Sequence, residues 1–128
     1  MNPKKILVVE DENYLCDLYK EILEDQGYIV EVAKDGNEGM LKMKKGGWDL
    51  VLLDIILPGM DGIEIMRVLK ANPPLAPNNK VVFLTNLDKD KEMDEAQKLG
   101  DGYIIKSTVT PKSLVDKIHE YLGNQAKN

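Results

Sequence analysis

The chain has 128 residues, of which 43% are hydrophobic and 30% charged, with a formal net charge of −5. That length supports one domain with a core of its own, residues 1–128 with the ordered part at about 4–123. An acidic balance without any basic stretch argues against direct contact with a nucleic-acid backbone. The lone Cys16 excludes an intrachain disulfide.

In chain order, Ile6–Val9 predicts the first strand. It is far too short for a signal-peptide core or a membrane span, so no membrane insertion and a cytoplasmic location are expected. Leu15, Leu18, Tyr19, Ile22 and Leu23 follow the three-and-four spacing of an amphipathic helix. Gly27 stops that helix, Asp11 or Glu12 is available as its N-cap, and Cys16 sits on its face as a small thiol. Tyr28–Ala33 predicts the second strand. Met40 and Met43 mark a shorter helix ending near Gly46-Gly47. Leu50–Leu53 predicts the third strand, with Trp48 packing at its entrance. Ile63, Met66 and Leu69 mark a third helix closed by Pro73-Pro74. Val81–Leu84 is a fourth strand, and Met93, Ala96 and Leu99 a fourth helix ended by Gly100. Tyr103–Ile105 is the fifth strand. The last helix carries Leu114, Val115, Ile118 and Leu122, with Thr110 as N-cap and Pro111 at its first position. His119 on it reads as a surface histidine, and residues 123–128 as a helix stop and frayed end.

Strand and helix alternate five times, and three of the apolar runs are near-continuous, as expected of parallel strands covered on both faces. The expected fold is α/β: a doubly wound, flavodoxin-like, five-stranded parallel sheet in the order 2-1-3-4-5 with right-handed crossovers. In such sheets the site lies at the carboxyl ends of the strands. There the sequence places Glu10-Asp11, Asp54, Thr85 and Lys106. Asp54, set between Leu53 and Ile55, is expected to open into a cleft rather than share its neighbours' burial.

Two carboxylates about 5 Å apart repel by roughly 3 kcal/mol at an effective dielectric near 20. Such a cluster raises its pKa values or recruits a cation. Clustered carboxylates with a backbone carbonyl suit Mg²⁺. With the Lys106 ammonium and the Thr85 hydroxyl they describe a pocket for a phosphoryl group, one carboxylate serving as nucleophile.

The stretches ILVVEDE, VLLDIILPGMDG, VVFLTN and GYIIKS together resemble the receiver domain of two-component response regulators, over essentially the whole chain. The resemblance implies that Asp54 accepts a phosphoryl group from a sensor histidine kinase or histidine phosphotransfer protein. It implies Mg²⁺ held by Asp11 and Asp54, by the Ile56 main-chain carbonyl, and by Glu10 through water. Thr85 and Lys106 would contact the phosphoryl oxygens, and Tyr103 would turn as Thr85 moves. The face of helix four, strand five and helix five would then change its affinity for a downstream protein partner, as a monomer or a phosphorylation-dependent dimer; a phosphate shuttle in a relay is the alternative. The protein would be a switch rather than an enzyme.

Three positions depart from the family pattern. Ser107 follows the lysine where proline is usual, and a cis Lys106–Ser107 bond is expected despite a cost of about 2.5–4 kcal/mol. Asn86 replaces a small residue. Ile56 and Leu87, two beyond Asp54 and Thr85, are apolar and should position water poorly, prolonging the phosphorylated state. Two other readings stand beside the switch: a receiver-like interaction module that takes no phosphate, and an aspartyl-phosphate phosphohydrolase. The latter wants an acid where Ile56 stands.

Overall fold

The computed structural model describes residues 2–86 and 90–123, with the backbone alone for 90–93. Ten elements alternate: β1 (Lys5–Val9), α1 (Asn13–Asp25), β2 (Ile29–Ala33), α2 (Gly36–Lys45), β3 (Leu50–Asp54), α3 (Gly62–Ala71), β4 (Lys80–Thr85), α4 (Asp90–Leu99), β5 (Gly102–Ile105) and α5 (Pro111–Leu122). The strands form one parallel sheet in the order β2-β1-β3-β4-β5, as the alternation predicts.

Side-chain alternation along each strand sorts the core into two layers. Ile6, Val8, Leu50, Leu52, Val82, Leu84 and Ile104 face α1 and α5, meeting Tyr19, Leu23, Leu114 and Ile118. Leu7, Val9, Val51, Leu53, Val81 and Phe83 face the opposite way, against Met43, Ile65, Met66 and Leu69 of α2 and α3 and Ala96 of α4. The central strands β1, β3 and β4 are buried on both faces, whereas the edge strands β2 and β5 alternate with exposed positions. This is why only three runs read as continuous.

Helix ends follow local chemistry. Thr110 and Ser113 form a reciprocal capping box with Pro111 at the first turn of α5. Asp35 and Asp61 cap α2 and α3, each accepting from a backbone N–H at 2.8 Å; neither cap was expected. At α1 the Glu12 side chain makes no capping bond. Its backbone N–H instead donates to Glu10 Oε2 at 3.1 Å, which turns the chain at the site. Gly27 ends the α1 connection with φ of 93°.

Trp48 packs before β3 as expected, its indole N–H donating to the Lys42 carbonyl. His119 is half-buried, with Nε2 shielded from solvent, rather than fully at the surface. Leu87, the side chain of Met93 and the expected frayed tail, residues 124–128, lie outside the described residues. Among the described residues no helix is long and apolar enough to cross a membrane.

Candidate functional site at the carboxyl ends of the strands

Following the alternation to the end of β3 and one step past β1 and β5 builds the site. Ile6–Val8–Glu10, Leu50–Leu52–Asp54 and Ile104–Lys106 all point to the α1–α5 side. The ladder continues through those extra residues: the Glu10 N–H donates to Ala33 O at 2.9 Å and the Lys106 N–H to Thr85 O at 2.8 Å. Glu10 follows the Val9–Leu53 pair, which sets it beside Asp54. Lys106 therefore arrives over both acids.

Its Nζ lies 2.9 Å from Asp54 Oδ2 and 2.6 Å from Glu10 Oε1. The second is an ion-pair contact whose angles fall outside hydrogen-bond geometry. The Ile56 N–H donates to Asp54 Oδ1 at 3.3 Å, a weaker hold. Glu10 is fully buried and Asp54 only 5% exposed. The expectation that Asp54 escapes the burial of its neighbours is therefore corrected: charge pairing with Lys106, not exposure, makes the carboxylate tolerable there. Burial pushes the Glu10 carboxyl up to about 6, with Lys106 and the Glu12 N–H pulling only part of the way back. Burial works against the Lys106 charge too, but the two acids outweigh it and hold the ammonium above its ordinary value.

No described peptide bond is cis, which corrects the expectation for Lys106–Ser107. The trans bond avoids the cost of a cis non-proline peptide. It still delivers the lysine to Asp54, because the β4–β5 ladder, not the following residue, aims Lys106.

Asp11, Asp54, Ile56, Thr85, Asn86 and Lys106 line a cavity of about 290 Å³, with Ile56 64% exposed at its mouth and Thr85 buried. Glu10, Asp11 and Asp54 each offer a carboxylate oxygen, all within 4.8 Å of one another. Three hard oxygen donors at that spacing fit Mg²⁺. Tyr103 stands apart: it is 37% exposed and lines a larger hollow of about 580 Å³ along β5 and α5. Direct pairing of Lys106 with Glu10 was not foreseen. The shared parity of positions 8, 10, 104 and 106 was the signal that could have revealed it.

Residues 6–119 match the response regulator receiver domain family. The chain belongs to that family. It is 34% identical over 120 residues to the chemotaxis protein CheY of Halobacterium salinarum, covering 93% of this chain and 97% of CheY. It is 40% identical over 101 residues to the transcriptional regulatory protein TrcR of Mycobacterium tuberculosis, covering 79% of this chain but 37% of TrcR. The CheY-like receiver domain from Methanospirillum hungatei superposes with a TM-score of 0.82 at 35% identity, covering 97% of each chain. The receiver thus spans less than half of the transcriptional regulators it matches and nearly all of the chemotaxis protein. Membership places it among the response regulators of two-component signalling, and the acidic cluster sits where a receiver domain has its Mg²⁺ pocket.

Proposed function

We propose that this receiver is a phosphorylation-dependent switch in which Asp54 accepts a phosphoryl group from a phosphohistidine on a sensor histidine kinase or phosphotransfer protein. One observation carries the reading: a buried carboxylate faces a 290 Å³ cavity while paired with Lys106 and clustered with two further acids. Asp54 Oδ1, which accepts the long Ile56 N–H bond while Oδ2 pairs with Lys106, attacks phosphorus. The P–N bond to the donor imidazole breaks and its electron pair stays on that nitrogen. Asp11, Asp54 and the Ile56 carbonyl would hold Mg²⁺, with Glu10 acting through water. Bound there, the ion would neutralise charge on the transferring phosphoryl oxygens.

The new charge on Asp54 draws Lys106 and the Thr85 hydroxyl toward the phosphoryl oxygens. Thr85 and Tyr103 lie on adjacent strands, β4 and β5, so movement of Thr85 frees space for the Tyr103 ring to leave its exposed position. The hollow that Tyr103 lines would change shape, and with it the affinity of the α4–β5–α5 face for a downstream protein. In this reading the chain, residues 1–128, acts as a cytoplasmic receiver unit, a monomer or a dimer formed on phosphorylation. The placement of Lys106 on Asp54 despite Ser107 weighs against an inert interaction module.

Incubation with Mg²⁺ and a small-molecule phosphodonor should label the protein with base-labile phosphate, and Asp54→Ala should carry no label. Label retained in Asp54→Ala would overturn the assignment; no label on the wild-type protein would favour the inert module.

Ile56 stands exposed at the cavity mouth and offers attacking water no hydrogen bond. Ile56→Asn is expected to shorten the half-life of the phosphorylated form by roughly tenfold, the worth of one added hydrogen bond. An unchanged half-life in a label-decay assay would remove the shielding role from Ile56.

A further inference from the structure

Tyr19, in the middle of α1, is 2% exposed, and its hydroxyl is buried with no hydrogen-bond partner among the described residues. A buried hydroxyl without a partner is a standing cost to the fold and needs a reason. Because α1 connects two parallel strands, it runs antiparallel to them, and its first turn stands at the carboxyl edge of the sheet. A long aromatic side chain on a helix leans toward the helix N-terminus, so Tyr19 reaches toward the site.

With Lys106, Tyr19 lines a cavity of about 70 Å³ whose other walls include Leu15, Leu18, Ile22 and Leu114. After burial, the charges acting most strongly on its hydroxyl are those of Lys106, Glu10 and Asp54. Tyr28 provides a contrast on the same core layer. Its hydroxyl is also buried and without a hydrogen-bond partner among the described residues, but burial is what raises its pKa. Tyr19 alone of the two is placed to answer a change in the site.

That change is specific. Glu10 is fully buried; Oε2 accepts the Glu12 N–H, while among the described residues Oε1 has only the Lys106 ammonium. A compact ammonium drawn to phosphoryl oxygens on Asp54 loosens its hold on Glu10 and leaves that buried carboxylate without its counter-charge, with room for a second donor beside the water through which it would act on Mg²⁺.

We propose that Tyr19 is a positioning residue for the phosphorylated state: as Lys106 turns to the phosphoryl group, the Tyr19 hydroxyl donates a hydrogen bond to Glu10. The inference rests on the reading of Asp54 as phosphoacceptor. It gives the orphan hydroxyl a partner in one state of the switch only, so the hydroxyl biases the equilibrium toward that state.

The test compares wild type, Tyr19→Phe and Tyr19→Leu by calorimetric titration with Mg²⁺ alone and with Mg²⁺ plus beryllofluoride, alongside thermal unfolding without ligand. Tyr19→Phe should be at least as stable as wild type when unliganded, since it loses an unpaired hydroxyl, and should bind Mg²⁺ equally well. Its affinity for beryllofluoride should fall about tenfold, and Tyr19→Leu should show the same loss. Equal beryllofluoride affinity in wild type and Tyr19→Phe would overturn the role of Tyr19 and leave Asp54 as acceptor intact. A wild-type protein that takes up no beryllofluoride would overturn both.

Discussion

Lys106→Met is expected to lose about 3–5 kcal/mol of stability at pH 8 without divalent cations, because it strips the shared counter-charge from two buried acids. Glu10 is wholly buried, Asp54 nearly so, and their carboxylate oxygens lie within 4.8 Å of each other. The pH dependence has a definite sign. In the wild-type protein the Glu10 carboxyl already stands at about 6 against an ordinary 4.5, and loss of the ammonium lifts it further. A carboxyl whose pKa is raised by folding binds its proton more tightly in the folded state, so stability is full below the unfolded value and falls as pH rises through the folded one. The deficit should therefore shrink as pH drops from 8 toward 5. Mg²⁺ should restore more stability to the variant than to wild type, since it meets an uncompensated cluster. Urea unfolding at both pH values, with and without Mg²⁺, measures all of this. A variant as stable as wild type at pH 8 would show that Lys106 does not offset the buried charge.

Gly62→Ala should damage the site from beneath. The Gly62 N–H donates to Ile55 O at 2.8 Å, holding the start of α3 against the residue that follows Asp54. A Cβ at Gly62 would lie 2.4 Å from the Asp54 carbonyl oxygen and 3.2 Å from Ile55 Cα. Both neighbours are backbone, so no side-chain rotation relieves the clash, and the segment from Asp54 to Ile56 must shift. A loss of about 2–3 kcal/mol is expected from the overpacking. Because the same segment would supply the Asp54 carboxylate and the Ile56 carbonyl to the proposed Mg²⁺ site, Mg²⁺ affinity should fall several-fold in parallel. Thermal unfolding and Mg²⁺ titration of the variant test the two effects separately; intact affinity would mean that the loop absorbs the change away from Asp54.

Apolar runs at all five strands, three-and-four spacing on the helices, glycines at turns and the Thr110–Pro111 pair were enough to read every element and the fold class. Each of these signals is local, a matter of side-chain period or of one residue's backbone preference. The collection of acids, threonine and lysine at strand ends followed once the strands were known to be parallel. Three features needed more. The burial of Asp54 depends on how closely α1, α5 and the loops cover the sheet edge. The link from Lys106 to Asp54 joins residues 52 positions apart and rests on the register from β3 through β4 to β5. The trans bond before Ser107 still leaves Lys106 on Asp54, because that same ladder aims the lysine.

The sequence by itself determined which groups reach the carboxyl edge, because alternation and parallel order dictate where each strand's last side chain goes. Only the tertiary structure decided how those charges pair. Pairing turns on ångström-scale separations and on exclusion of water, and neither quantity is written in the spacing of residues along a chain. Asp54 was legible as a carboxylate at the carboxyl edge of the sheet; its pairing with an ammonium shared with Glu10 became visible only when five strands stood side by side.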